Sequence, residues 1–223
     1  MAPTLGGEAV GLALAALNEQ GLLLQQDQRL PSLVGLIAGG PLHGSWWSHP
    51  AGALIYRAIQ ELEDHPDVLE TKLLAGKVTY VHHRLWPDIF GVGLPREGWQ
   101  LDALSPESSW LLECLARDSE LQLNDLPLPA GLSRKRLPDA GRQIERRVLA
   151  RGYSIHTPGG AHAKCLETWQ RWGERTGVQP APVSEAKRQL EQAAEAFAAG
   201  AAAQLPWMPS GKGHSHNPLA VSG

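Results

Sequence analysis

The segment that decides the fold runs from residue 45 to residue 87 and reads SWWSHPAGALIYRAIQELEDHPDVLETKLLAGKVTYVHHRLWP. In its first half, apolar residues recur at the spacing of one helical face, at Leu54, Ile55, Ala58, Ile59 and Leu62. This spacing predicts an amphipathic helix that buries one side. We expect Ser48 or His49 to cap the helix, with Pro50 in its first turn, where a missing N–H costs nothing. Pro66 is expected to end it.

The second half of the segment carries two β-prone runs, Val68–Leu74 and Val78–His82. Ala75 and Gly76 lie between these runs, which predicts a two-residue hairpin turn. A helix followed directly by a β-hairpin is the order in which a winged-helix unit ends, with its last helix and then its wing.

The preceding residues predict the other elements of such a unit. A helix is expected over Glu8–Gln20, ended by Gly21, and a short strand over Leu22–Leu24. A second helix is expected over Pro31–Ala38, before a Gly-Gly-Pro stop. Together these elements predict a first winged-helix unit over residues 8–92.

A second unit of similar element order is expected over residues 99–172. Ser105 and Pro106 have the residue types of a helix start, and a third helix is expected over Pro138–Arg151. A second hairpin is expected from two β-prone runs and the turn between them, Tyr153–His156, Thr157–Gly160 and Ala161–Glu167.

The remaining segments complete the predicted architecture. The apolar run Leu85–Val92 is expected to pack the first unit onto the second. A C-terminal helix is expected within residues 173–203, and a disordered tail over 204–223, with Trp207 able to dock back. The predicted fold class is α+β, mostly helical, with tandem winged-helix units, a C-terminal helix and a tail.

Composition limits the class of protein. Hydrophobic residues make up 43% of the chain, which is enough for a core. Cys114 and Cys165 lack the spacing of a metal pair and are expected to be buried thiols in a reducing compartment. We see no signal peptide and no apolar run of the ~18 residues that span a bilayer, so we expect a cytoplasmic protein with no membrane partner.

Histidines invite a metal hypothesis, but their spacing does not match a known site. The residues concerned are His43, His49, His65, His82 and His83. We therefore expect no metal and no other cofactor.

The strongest functional signal is a basic run within a chain of net charge −3. Between Arg134 and Arg151 there are seven basic and two acidic residues. Local patches rather than net charge attract phosphate, so we expect contact with double-stranded DNA, either intact or damaged. The alternative is a solvated helix face with Glu145 as a local partner. The candidate nucleic-acid-binding residues here are Arg134, Lys135, Arg136, Arg142, Arg146 and Arg147.

The first hairpin and the segment before its helix add further candidates. Lys72 and Lys77 flank the predicted turn, and Arg84 follows the second run. All three are candidate phosphate contacts. Trp46 and Trp47 are candidates for stacking on a base or wedging a duplex. The alternative is that at least one of the two indoles belongs to the core.

The two predicted units, the Arg-rich third helix and the hairpin Tyr153–Glu167 resemble the AlkZ/YcaQ type of winged-helix DNA glycosylase. That family has a tandem winged-helix fold, removes damaged bases from DNA, and uses a Gln-x-Gln motif with an apolar middle residue. This chain has Gln26 and Gln28, with Asp27 in the middle. The resemblance implies that Gln26 and Gln28 are the catalytic residues.

Three functions follow from these observations. The first is a DNA-binding protein, as a glycosylase or a related repair factor acting on damaged bases. The second is a non-catalytic regulator or adaptor that binds a protein partner through a Trp-rich surface containing Trp99, Trp169 or Trp172. The third is a hydrolase that uses histidine and acidic groups, with an acidic cluster supplying a general base. That cluster consists of Glu61, Glu63, Asp64, Asp67 and Glu70.

Overall fold

The computed structural model describes residues 5–156 and 162–209. Over these residues the chain is α+β, with helices packed around two three-stranded antiparallel sheets. The predicted turn Thr157–Gly160 and the tail from residue 210 lie outside the described residues.

The first half of the chain places three helices beside the first sheet. Its helices are α1 (Leu5–Gln20), α2 (Leu33–Ala38) and α3 (Gly52–Glu63). Its strands are β1 (Leu22–Leu24), β2 (Val68–Thr71) and β3 (Thr79–His82). The sheet order is β1-β3-β2, with Tyr80 of the central strand opposite Leu23 and Glu70.

Local chemistry explains two of these boundaries. Gly21 adopts a φ of 83° after α1, a backbone conformation that favours glycine, and this turns the chain into β1. Ser32 caps α2 by accepting a hydrogen bond from the Gly35 N–H at 3.1 Å, and Gly39 ends the helix in the left-handed region.

The start of α3 differs from the prediction. The helix begins at Gly52, and its N-cap Ala51 makes no side-chain capping bond. Ser45 instead caps a separate 3-10 turn, Trp46–Ser48, by accepting from the Trp47 N–H at 3.3 Å. A Cβ on Gly52 would lie 3.1 Å from the Trp46 carbonyl oxygen, so this turn packs directly against the helix start.

The predicted two-residue hairpin turn is also wrong. Strand β2 ends at Thr71 and β3 begins at Thr79, so residues 72–78 form the connection. Leu73 and Leu74 are fully buried, and the Leu74 N–H donates to the Thr79 hydroxyl oxygen at 3.2 Å. Burial of the two leucines draws the chain away from the strand ladder, and Ala75 then turns it at a φ of 52°.

The second half repeats a helix, a strand, a helix and a hairpin. Its helices include α4 (Trp86–Gly93), α5 (Gly98–Leu101), α6 (Pro106–Asp118) and α7 (Leu137–Arg146). Its strands are β4 (Glu120–Gln122), β5 (Arg151–His156) and β6 (His162–Glu167), in the order β4-β6-β5. Ser105 caps α6 with Pro106 in the first turn, as the sequence predicts.

Helix α7 is shorter than predicted. It ends at Arg146, and Val148 has a φ of 53° that stops the helical path. Val148 is fully buried, and its carbonyl oxygen accepts a hydrogen bond from the Trp169 indole at 2.9 Å. Arg151 therefore lies in β5, opposite Glu167, and is not part of the helix.

One apolar core joins the two halves. Helix α4 packs with Val148, Trp169 and Trp172, which confirms that the apolar run Leu85–Val92 connects the halves. Helices α8 (Trp169–Thr176) and α9 (Val183–Phe197) complete this core. Trp169 and Trp172 are only 1% and 2% exposed, so neither contributes to a Trp-rich surface.

The folded chain extends beyond the predicted start of the tail. Leu205 is 2% exposed in the core, and the Trp207 indole donates to a Glu191 carboxylate oxygen at 2.7 Å. Residues 204–209 therefore belong to the folded part, because an aromatic side chain anchors them on α9.

Two glycines in helices provide a matched test of this packing. A Cβ on Gly91 in α4 would overlap the Ala181 carbonyl oxygen, whereas a Cβ on Gly11 in α1 would meet nothing within 4 Å. We expect Gly91→Ala to lower the free energy of unfolding by about 1–3 kcal/mol. Gly11→Ala should leave it unchanged or raise it by up to about 1 kcal/mol. Denaturant unfolding measures both, and equal effects would contradict the close packing of α4.

Candidate functional site

A basic surface surrounds α7. It consists of five exposed side chains, which we call the α7 basic face: Arg134, Lys135, Arg136, Arg142 and Arg146. They are held in place because Leu137, Ala140 and Ile144 bury the other side of the helix. Asp139 is the exposed acidic residue of the same helix.

Two members of the face have local partners, of which one is charged and the others are neutral. Arg142 forms an ion pair with Asp139. The Arg134 guanidinium donates to the backbone carbonyls of Asn124 at 3.0 Å and Leu126 at 2.8 Å. Neutral carbonyl partners fix the guanidinium without cancelling its charge.

Arg147, a candidate DNA contact, does not lie on the exposed face with Arg142 and Arg146. It is the C-cap of α7, is half-buried, and donates to the Trp99 carbonyl oxygen. Arg146 remains exposed, and its Nε donates to the Gly76 carbonyl oxygen at 3.4 Å. The basic face therefore contacts the hairpin connection of the first half.

Two clefts flank α7. The first has a volume of about 590 Å³ and is lined by Lys72, Leu123, Asn124, Arg134, Leu137, Pro138, Gly141, Arg142, Glu145 and Lys164. The second, of about 450 Å³, is lined by Ser105, Glu107, Arg136, Asp139, Ala140, Arg142, Gln143, Arg146 and Arg147. Because Arg142 lines both, the two clefts meet at this side chain.

Glu145 lies inside the fold, contrary to the sequence interpretation. It is only 3% exposed, so it is not a surface partner of the arginines. Its Oε1 pairs with the Lys164 Nζ at 2.8 Å. A Cβ on Gly152 would overlap that oxygen, so the carboxylate lies against a strand backbone that only glycine leaves open. A signal was present in the sequence, because Glu145 lies four and eight residues after the inward Gly141 and Leu137, and residues at this spacing share a helical face.

The candidates in the first hairpin have intramolecular roles. Lys77 forms an ion pair with the buried Asp27, and the Arg84 guanidinium donates to the carbonyls of Asn18 and Glu19 at the end of α1. Lys72 is half-buried and lines the first cleft beside Lys164. Of these three, Lys72 is the one that lines a cleft together with Arg134 and Arg142.

The Gln-x-Gln segment is built around its middle residue. Asp27 is buried and accepts hydrogen bonds from the Arg29 and Leu30 N–H groups at 2.7 and 3.0 Å. Burial alone would raise the pKa of Asp27, but Lys77 and these N–H groups outweigh it and hold the pKa below its usual value. The Gln26 amide donates to the Gly44 carbonyl oxygen at 2.7 Å, and Gln28 is exposed.

Trp46 and Trp47 divide between core and surface. Their rings stack with centroids 4.2 Å apart, and Trp46 packs against the core of the first half. Trp47 is 66% exposed and lies 5.5 Å from the Tyr56 ring. The expectation that at least one indole packs on the core is confirmed. Contact with a base stays a prediction.

The acidic cluster continues onto the edge of the first sheet. Partial desolvation of its carboxyl group, together with the charges of Glu70 and Asp64, raises the pKa of Glu63 to about 7. Burial also raises the pKa of Glu70, and the nearby Lys164 opposes that rise. Both carboxyls are therefore protonated more easily than an ordinary solvated glutamate.

The described residues also bear on metal and membrane chemistry. Within residues 5–156 and 162–209, no three His, Cys, Asp or Glu side chains come together as a metal site. Cys114 and Cys165 are buried free thiols, as predicted. None of the helices in these residues combines the length and apolar character needed to cross a bilayer.

Comparison of the chain with protein-family models, with curated proteins and with solved structures gives no match. The function is therefore inferred from the geometry of α7 and its surroundings.

The raised pKa of Glu63 predicts a pH effect on stability. The folded state holds a proton between the usual pKa of 4.5 and about 7, so ionising Glu63 lowers the free energy of unfolding as the pH rises through this range. We expect Glu63→Gln to become more stable than the native chain as the pH is raised from about 4.5 to about 8. Denaturant unfolding of both chains at the two pH values measures this, with the exposed Glu61→Gln as a control. A stability difference that does not change with pH would contradict the raised pKa.

Proposed function

We propose that this chain is a double-stranded-DNA-binding protein made of two winged-helix units, and that the second unit meets the DNA through the α7 basic face. The order of elements supports the fold. The first half runs α1, β1, α2, α3, β2, β3, and the second runs α6, β4, a 3-10 turn at Arg134–Arg136, α7, β5, β6. Both sheets place the last strand in the centre.

The observation that carries the proposal is the concentration of exposed positive charge on α7 and the turn before it. In helix-turn-helix folds, which winged helices extend by a hairpin, this is the helix that approaches the DNA. Arginine suits the contact because its planar fork donates two hydrogen bonds to phosphate or to a guanine edge.

The corresponding helix of the first half favours the second unit as the DNA contact. Helix α3 exposes Arg57 beside Glu61 and Glu63, and Asp64 follows its end. This acidic surface would be repelled by phosphate, whereas the α7 basic face would be attracted. A phosphate contact from Lys72 remains part of the proposal. Lys77 and Arg147 are less favoured, because Lys77 is paired with the buried Asp27 and Arg147 is half-buried. Arg84 is exposed and donates to neutral backbone carbonyls, so it remains part of the proposal.

The proposal is confined to binding. A glycosylase or other repair factor for damaged bases is a narrower form of it, supported by the resemblance of Gln26 and Gln28 to the family motif. However, the Gln26 amide is bonded to Gly44, and Asp27 holds a turn with Lys77. Binding is therefore the function that the geometry supports best.

Trp47 favours a second candidate function, an adaptor that binds a protein partner. Its exposed indole and the neighbouring Tyr56 form an aromatic surface on the first unit. Exposed aromatic clusters are typical of protein interfaces. Such binding would depend little on salt, which separates it from the contact at α7.

Substitution of the α7 basic face tests the DNA proposal. We expect the double variant Arg136→Ala, Arg146→Ala to bind a fluorescent duplex more weakly at every salt concentration. The slope of log affinity against log salt should fall by about 0.9 for each phosphate that the variant no longer neutralises. Fluorescence anisotropy over a salt series measures both quantities.

The control is Arg188→Ala, which removes one exposed arginine from α9, away from the α7 basic face. It should leave the affinity and the slope near those of the native chain. A double variant that behaves like the native chain would overturn the proposal. A parallel series with an alkylated strand tests the narrower repair function, which requires a preference for the alkylated duplex.

A further inference from the structure

The first cleft beside α7 joins charged groups from both halves of the chain. Lys72 comes from the connection after β2, Arg142 and Glu145 from α7, and Lys164 from β6. Its apolar lining is contributed by Leu123, Leu137, Pro138 and Gly141. A volume of about 590 Å³ lies within the range of small-molecule sites.

The buried carboxylate of Glu145 distinguishes this cleft from a simple basic groove. The side chain is 4% exposed, and Oε1 is satisfied by Lys164 at 2.8 Å. Oε2 is buried and has no hydrogen-bond partner within residues 5–156 and 162–209. A buried acceptor is costly without a donor, and Glu145 lines the cleft. A ligand N–H that reaches Oε2 would therefore offset that cost.

The cationic groups of the cleft favour an anionic group on the ligand. Lys72, Arg134 and Arg142 line it and are at least partly exposed. These side chains favour an anion, and arginine in particular favours phosphate. A simple anion would gain nothing from Glu145, and a simple amine would be repelled by the cations. The complementary ligand therefore has an N–H donor, an apolar body and a phosphate.

We infer that this cleft binds a single nucleotide whose base carries an N–H donor. The base would lie against the apolar lining and donate to Glu145 Oε2, while the phosphate would contact Arg142, Arg134 and Lys72. This inference rests on the proposed function, since Arg142 also lines the second cleft of the α7 basic face. The nucleotide is either free or an unpaired residue of a strand held on that face.

The site differs from the Gln-x-Gln segment and from the Trp pair in its location and its groups. It lies where the second hairpin, α7 and the connection after β2 meet. The carboxylate would select bases by their hydrogen-bonding edge, whereas the basic face attracts any phosphate backbone.

The first test compares two nucleotides that differ in the base edge that would donate to Glu145. Adenosine 5′-monophosphate carries the exocyclic amine, and purine riboside 5′-monophosphate lacks it. Calorimetric titration of the full chain is expected to give at least about tenfold weaker binding of the purine riboside compound, because this ligand cannot donate the hydrogen bond to the carboxylate. Glu145→Gln should reduce this ratio. Equal affinities, or competition by inorganic phosphate at the same concentration as the nucleotide, would overturn the inference.

The second test blocks the cleft without changing charge. Asn124 is exposed and lines the cleft, so Asn124→Trp should abolish adenosine monophosphate binding while the chain stays folded. The matched control is Ala130→Trp, at an exposed position that is not part of either cleft lining, and it should bind normally. Normal binding by Asn124→Trp would place the nucleotide elsewhere and overturn the inference.

Duplex binding measured in the same samples separates this inference from the proposed function. Absence of nucleotide binding with duplex binding retained would overturn only the inference, and nucleotide binding without duplex binding would overturn only the proposed function. A single-stranded oligonucleotide with adenine or purine at one position distinguishes the sources. A preference for adenine over purine within the strand supports an unpaired residue of a strand as the ligand. A preference seen only between the two monophosphates supports a free nucleotide.

Discussion

The structure depends on a buried hydrogen bond between the Trp169 indole and the Val148 carbonyl oxygen, at 2.9 Å. Val148 has a left-handed φ of 53°, and the Gln100 amide also donates to its carbonyl, at 3.4 Å. Both donors are buried, so the bonds are protected from water. They stop α7, direct the chain into β5, and place α7 relative to α4 and α8. Together with the apolar core that joins the two halves, they hold the basic face beside the first half.

The distribution of the arginines follows from how buried carboxylates are satisfied. Glu167 is 2% exposed and accepts from Arg151 at 2.5 Å and from Arg175 at 2.9 Å. An unpaired charge in such a position would be strongly destabilising, so these two arginines are held as partners of Glu167. The basic run of the sequence therefore divides. Arg151 neutralises the buried Glu167 carboxylate. Arg136 remains at the surface on the turn before α7.

Sequence reasoning was reliable where local chemistry decides the outcome. The end of α1 at Gly21 and the cap of α6 at Ser105 follow from residue type alone. The inward side of α7 was also predictable from its apolar spacing. Sequence reasoning was unreliable where burial competes with local preference. Leu73 and Leu74 lengthen the hairpin connection because their burial outweighs the short turn that Ala75 and Gly76 favour.

By itself, the sequence determined the α+β class, most elements and the clustering of arginine near residue 140, because caps, periodicity and charge are properties of neighbouring residues. Only the tertiary structure decided which charges remain available. Arg147 is held by the Trp99 carbonyl, and Glu145 is buried against Lys164, from a strand distant in sequence. Whether a charged side chain is a surface group or a buried partner depends on residues far along the chain, which no local pattern records.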